Sequence, residues 1–320
     1  MPVAEVVALA REAERIGYDY LLLADEGFMP DVYACLAVIA RETETIALGA
    51  MTNGYTRHPA VTAAATATLN ELSGGRSLVI MLAGGSMVLG PMGIARRHPF
   101  RVVSESIEVM RQLWTGGSVT WEGAGFSLDQ AQLGLGPQSI PIWVASRGPI
   151  LLGHAGAHAD GVVMTVKPDL GDAIAIVDTA ASEAGRTSPV RAYLGRICYS
   201  PDLVEGQRRT LSFVLMDSPP RVLRSLGFDD DQVAMVETAA ATNRPELITP
   251  MVTTDLLHRY QVAGSPDQCA VELANLVDEH RLDVVLVDVV SPDLDENLST
   301  LHQSHSIING QTPTTTGSST

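Results

Sequence analysis

Seven short, mostly apolar runs, each followed by a stretch with helical spacing, constrain this chain more than any other feature of its 320 residues. They fall at residues 18–24, 45–52, 78–83, 140–145, 161–166, 190–199 and 283–290. A strand that is apolar at nearly every position, rather than at every second one, is covered on both faces. That is the condition of a parallel sheet with helices outside it. The spacing predicts helices over 3–16, 31–41, 59–72, 100–114, 150–157, 173–184, 266–280 and 294–302, with Gly17 and Gly74-Gly75 as glycine stops. The expected fold class is α/β, a TIM-type (β/α)8 barrel. Such a barrel has eight strands, so its first strand is expected to be missing from this chain.

Two segments interrupt the alternation. Residues 118–137 predict a hairpin with Trp121 and Phe126 as its apolar contacts, and 201–260 predict an added helical layer with a long helical stretch over 203–260. The expected organisation is one barrel domain over 1–306 with these two insertions, followed by a flexible Thr/Ser/Gly tail over 307–320.

Charge narrows the class of function. With 21 basic against 37 acidic residues the formal charge is −16, which repels a polyphosphate partner and argues against nucleic acid. No apolar run approaches the ~18 residues of a membrane span, and no signal segment opens the chain, so a cytoplasmic protein is expected. Cys35, Cys198 and Cys269 are far apart in apolar surroundings, as buried thiols would be. His154 and His158 have i, i+4 spacing without a third ligand nearby.

In a barrel the reactive rim lies at the carboxyl ends of the strands. The residues just past the apolar runs are Asp25 and Glu26, then Met51, Thr52 and Asn53, then Ala83 and Gly84, then Ser146, Arg147, Gly148, Pro149 and Ile150, then Thr165 and Lys167, and finally Arg196 and Asp288. Gly148-Pro149 has a specific physical reading. Proline suits the first helical turn, and the amides of Ile150 and Leu151 at that helix start favour a phosphate or another anion. Lys167, the chain's only lysine, is expected to supply a full positive charge to an anionic group, with Thr165 beside it. His58-Pro59 and His98-Pro99 read as helix starts rather than catalytic bases. No G-x-S-x-G elbow, P-loop or G-x-G-x-x-G fingerprint follows a strand.

Residues 10–25, 40–76, 109–117 and 141–163 resemble, in order, the bacterial-luciferase-like flavin and deazaflavin oxidoreductases. The wording TNGYTRHPAVTA at 52–63 is similar to the methylenetetrahydromethanopterin reductase branch, whose members use coenzyme F-420 (F420), a deazaflavin. The resemblance implies a hydride-transferring oxidoreductase acting on a small organic molecule; the alternatives are an FMN-dependent monooxygenase using oxygen and a non-catalytic flavin-binding paralogue. It further implies that Met51, Thr52 and Asn53 support the ring, often through a cis bond that here falls at 51–52 or 52–53. It implies that Ser146, Gly148, Pro149 and Ile150 line the phosphate site, and that the missing first strand reflects a chain start set too late, a gap filled by another segment or subunit, or a relative that no longer turns over. A homodimer is expected, with no metal and no membrane partner. The resemblance departs at Asp25-Glu26, where the family commonly has Asp-His, so Asp25 and Glu26 are the acid-base candidates.

Overall fold

The structure, a computed structural model, describes residues 1–310. The chain divides into two compact units, one of residues 1–163 with 176–190 and the other of residues 164–175 with those from 191 onward.

The first unit opens with α1 (Val3–Ile16), stopped by Gly17 at φ 103°, whose N–H returns to the carbonyls of Ala13 and Glu14. Then follow β1 (Tyr20–Ala24), α2 (Val32–Glu42), β2 (Ala47–Thr52), α3 (Pro59–Leu72), β3 (Ser77–Leu82), the one-turn α4 (Ser86–Leu89) and α5 (Pro99–Trp114). The predicted hairpin is present as β4 (Val119–Glu122) paired antiparallel with β5 (Ser127–Ala131). After it come β6 (Ile142–Ala145), α6 (Pro149–His158), β7 (Gly161–Met164) and α7 (Leu170–Glu183), whose start belongs to the second unit.

Strands β1, β2, β3, β6 and β7 pair in parallel in that order. β3 and β7 are buried almost throughout, as their apolar sequences require, whereas β1 is half-exposed and has only β2 as a strand partner among the described residues of its unit. Two glycines are fixed by contact. A Cβ on Gly161 would lie 2.6 Å from the Trp143 indole, and one on Gly156 would lie 2.2 Å from the Val177 carbonyl oxygen, where α6 meets α7.

Two charged side chains hold the helix-to-strand joints by binding backbone. Arg76, just before β3, donates to the carbonyls of Ser73, Ile46, Ala40 and Thr43 at 2.6–3.1 Å, tying the ends of α2 and α3 to the start of β2. Glu14 does the converse. Its Oε1 accepts from the N–H groups of Glu44, Thr45 and Ile46 at 2.6–3.0 Å, pinning α1 to the turn before β2. Burial by itself would raise the Glu14 carboxyl, but those three amides more than offset it and hold it below the usual glutamate range.

The second unit carries β8 (Val190–Gly195), apart from its first residue, and a short β9 (Ile197–Cys198), so the predicted strand over 190–199 is broken at Arg196. The predicted long helical stretch is five short helices: α8 (Pro201–Gly206), α9 (Arg208–Met216), α10 (Pro220–Ser225), α11 (Asp230–Thr242) and α12 (Thr254–Tyr260). Pro219-Pro220, Gly227, Pro245 and Pro250 break it, because proline removes a helical donor and Gly227 sits at φ 88°. Leu211, Leu215, Val222, Leu226 and Ile248 are fully buried in this layer, which therefore has an apolar core of its own. Next, β10 (Val262–Ala263) pairs with β9, and α13 (Pro266–His280), β11 (Val284–Val287) and α14 (Leu294–Ile308) close the unit. β11 runs parallel to β8, with Gly195 opposite Val287. The five parallel strands of the first unit, with β8 and β11 of the second, match the seven apolar runs.

α14 extends six residues past its predicted end, so helix occupies the start of the segment expected to be tail. The remainder of that tail, 311–320, lies outside the described residues. The three cysteines are free and buried. No helix among the described residues is long and apolar enough to cross a membrane.

The lowered Glu14 carboxyl makes stability depend on pH. Its contribution is fully present above the ordinary glutamate value of 4.5 and is lost as pH falls through the lower folded value. Glu14→Gln is therefore expected to cost about 1 kcal/mol near neutrality, allowing for solvent screening. Urea unfolding of both proteins between pH 3 and pH 7 checks this, with the gap closing at the acid end.

Candidate active site at the strand ends

The parallel register sets four strand exits side by side in the first unit. Ala24 faces Met51, Thr52 faces Met81, and Leu82 faces Ala145. Asp25, Met51–Asn53, Ala83–Gly84 and Ser146 consequently share one edge, on adjacent strands about 4.8 Å apart. The ladder continues one residue beyond β1, since the Asp25 N–H donates to the Met51 carbonyl at 2.8 Å.

Asp25 and Thr52 are in direct contact. The Thr52 hydroxyl, fully buried, donates to Asp25 Oδ2 at 2.8 Å, and Arg57 Nε lies 3.7 Å from the same oxygen. The Asp25 side chain is 11% exposed, so part of it reaches solvent. Glu26 is exposed on the loop that follows, with Phe28 and Met29 exposed beyond it.

Asn53 is buried and turned into its own loop. Its Oδ1 accepts from the N–H groups of Tyr55 and Thr56 at 2.9 and 3.0 Å, which folds 53–56 into a tight turn. Tyr55 then crosses to the next exit, its hydroxyl donating to the Arg97 carbonyl at 2.8 Å. A Cβ on Gly84, at φ 71°, would lie 2.8 Å from Leu89 and 3.4 Å from the Tyr55 ring. Arg96 Nε donates to the Ala83 carbonyl at 3.1 Å. The cis bond implied at 51–52 or 52–53 is absent, both bonds being trans.

At the fourth exit Ser146 Oγ accepts from the Gly148 N–H at 3.1 Å, which turns the chain into α6. Gly148 caps that helix and offers no side-chain acceptor to its first turn. Pro149 at the first position has no N–H, which leaves the Ile150 and Leu151 amides as the donors of this end. Arg147 is half-buried and Ile150 is 69% exposed.

Thr165 and Lys167 belong to the second unit. Thr165 Oγ1 is buried without a partner among the described residues. The expectation that Lys167 meets an anion is corrected by its surroundings. The ammonium donates to the carbonyls of His258 and Gln261 at 2.9 and 2.8 Å and to the Glu272 carboxylate. An ammonium has three donors, and all three are used to hold the end of α12 against α13. In the same unit Arg196 and Asp288, at the exits of β8 and β11, form an ion pair at 3.0 Å.

His58 caps α3 through Nδ1 and meets Phe126 of the hairpin edge-on at 5.4 Å. Burial, with His158 and Arg111 nearby, pushes the His154 imidazole down to about 4, and no three-ligand metal cluster stands among the described residues. Sequence reading did not single out Arg57 or Tyr55. Arg57 lies five residues past a strand end, and its partners are separated from it by 26 and 32 positions, so only the fold shows their meeting.

A family model described as luciferase-like monooxygenase matches residues 1–280, and the chain belongs to that family. It is 30% identical over 305 residues to a 5,10-methylenetetrahydromethanopterin reductase of Archaeoglobus fulgidus, covering 92% of both chains. It is 29% identical over 301 residues to the enzyme of that name from Methanolobus tindarius, covering 91% of this chain and 92% of the relative. Among solved structures, the coenzyme F420-dependent tetrahydromethanopterin reductase of Methanopyrus kandleri matches with a TM-score of 0.81 at 24% identity, over 97% of this chain and 96% of that one. The fold class is accordingly the TIM-type barrel of the luciferase-like proteins, as the strand pattern predicts.

The buried Thr52 hydroxyl gives the site its first test. Thr52→Val keeps the shape and removes the bond to a charged acceptor, so a loss of about 1.5–3 kcal/mol in chemical denaturation is expected. Thr52→Ser should retain most of that stability.

Proposed function

We propose that the chain is an oxidoreductase that moves a hydride between coenzyme F420 and a small organic substrate, in the manner of a methylenetetrahydromethanopterin reductase. We place it in the cytoplasm as a homodimer. The observation that carries the reading is 30% identity, along 92% of both chains, to a protein named for that reduction. Pairing draws support from the outer faces of α2 and α3, where Val38 and Val61 are 46% and 51% exposed.

The residues at the strand ends fit a flat, anionic coenzyme. Gly148 leaves the first turn of α6 without a side-chain cap, and an anion meets both the amides and the dipole there. Gly84 keeps the backbone bare where a Cβ would collide with Leu89. In this reading Ser146, Arg147, Gly148, Pro149 and Ile150 hold the phosphate, while Met51, Thr52, Asn53, Ala83 and Gly84 lie against the ring. Bound F420 supplies a ring carbon that accepts or returns a hydride. Asp25 and Glu26 are the groups that take up or hold a proton, Asp25 at Oδ1, the carboxylate oxygen not engaged by Thr52. Thr165 offers a hydroxyl, while the Lys167 ammonium is engaged by His258, Gln261 and Glu272.

Titration of the purified protein with F420 and with FMN, followed by turnover assays, tests the reading. F420 binding and F420-dependent reduction support it. Oxygen uptake with reduced FMN would support a monooxygenase instead, and tight retention without turnover a non-catalytic protein. The phosphate assignment has a sharper test. Gly148→Asp sits at φ −81° and ψ 136°, which any residue adopts, with its nearest neighbour 3.9 Å away. It should cap α6, leaving stability unchanged or a few tenths of a kcal/mol higher. It should also weaken F420 binding at least tenfold, because the new carboxylate takes the place of the coenzyme's anion.

A further inference from the structure

Charge is unevenly spread along the chain. Residues 45–104, which form β2, α3, β3, α4 and the first turn of α5, hold five arginines and a single acid, Glu71. That is a net of +4 in a chain of −16. Glu71 and Arg76 stand where α3 ends and β3 begins, at the opposite end of the strands from their exits. The cationic excess therefore falls at the rim, on Arg57, Arg96, Arg97 and Arg101.

Two of these four are paired with acids. Arg57 meets Asp31 at 2.7 Å, and Arg101 meets Glu105 at 3.0 Å. Arg96 is exposed and anchored through Nε on the Ala83 carbonyl. Arg97 is exposed, and its guanidinium has no ion pair or hydrogen bond among the described residues.

The loop that carries Arg96 and Arg97 is held in place. The Tyr55 hydroxyl donates to the Arg97 carbonyl at 2.8 Å, and the Arg97 N–H donates to the Ala95 carbonyl at 2.9 Å. Burial pushes the Tyr55 phenol up, against the pull of Arg96, so it remains a neutral donor. His98 then turns the chain into α5 at φ 52°, a left-handed conformation that persists only where the surroundings impose it. Two parts of the candidate site border this loop. On one side is Ala83, next to Gly84; on the other, Phe100 meets His154 of α6 edge-on at 5.5 Å. His154 lies four residues past Ile150, about 6 Å along the helix axis. The arginines thus neighbour the helix whose bare first turn is assigned to the phosphate.

We propose that Arg97, with Arg96 beside it, is a carboxylate-binding subsite for the tail of coenzyme F420. The proposal rests on the functional reading above. F420 carries glutamates beyond its phosphate, and a guanidinium meets a carboxylate with two parallel N–H donors. In an acidic protein, the local excess of positive charge also draws such a coenzyme to this edge.

The test compares F420 with its glutamate-free form, which keeps the ring and the phosphate. Arg97→Gln should weaken binding of the glutamate-bearing coenzyme about fivefold and Arg97→Glu at least tenfold, with the glutamate-free form changed less than about twofold. Arg41→Gln, the same charge change in the last turn of α2, should alter neither. An equal loss for both forms, or none for either, overturns the proposal. A raised KM for the organic substrate with an unchanged coenzyme Kd overturns it as well. A second arm uses citrate, a tricarboxylate, on the coenzyme-free protein, where the Arg97 Nε–Hε NMR signal should shift on titration. A wild-type protein that binds no F420 overturns the functional reading and the coenzyme as the source of the carboxylate. The citrate response then decides by itself whether the subsite exists, an unmoved Arg97 signal striking it out.

Discussion

The parallel ladder from β1 to β6 is the constraint on which the site depends. In a parallel sheet all strands end on the same edge, so a residue just past any strand is a neighbour of residues just past the next. The amide of Asp25 bonded to the Met51 carbonyl carries that ladder one step beyond β1. This step brings Asp25 within 2.8 Å of Thr52, a residue 27 positions away. A slip of one residue would turn the buried Thr52 hydroxyl to the other face of the sheet, and the contact would be lost.

Positive charge is scarce, 21 groups against 37 acids, and several of these cations are bound to the chain itself. Arg76 binds carbonyls, Lys167 binds carbonyls and Glu272, and Arg196 pairs with Asp288. Arg221 meets Asp169, whose carboxyl burial nevertheless pushes up to about 6. With those cations committed, an anion arriving at the start of α6 would meet backbone amides, which carry no competing partner in the form of a cap. The acidity of the chain and the bareness of Gly148 are in this sense one arrangement.

The seven strands and the hairpin were legible because periodicity and length record burial locally. So was the start of α6 at Gly148-Pro149, since helix-end chemistry is written within four residues. The breaks in the 201–260 layer were also present in the sequence as prolines and glycines, but apolar spacing alone ran through them. Lys167 misled for a different reason. Rarity and placement past a strand suggested a ligand, whereas its partners His258, Gln261 and Glu272 lie 91 to 105 residues away, and no local pattern encodes them. Arg57 was overlooked on the same ground, its value being set by Asp25, Asp31 and Tyr33 on other elements.

Position and charge are coupled at this rim rather than arranged separately. The Thr52 hydroxyl and the Arg57 guanidinium both address one oxygen of Asp25, so both bear on where the carboxylate lies. Arg57 can do so because Asp31 and Tyr33 hold it, and Asp31 is placed by its duty as the cap of α2. The surroundings of Asp25 at the end of β1 are thereby set in part by ordinary helix capping one loop further on. Local chemistry of a common kind, repeated at successive strand ends, is sufficient to gather polar groups from distant parts of the chain along one edge of a parallel sheet.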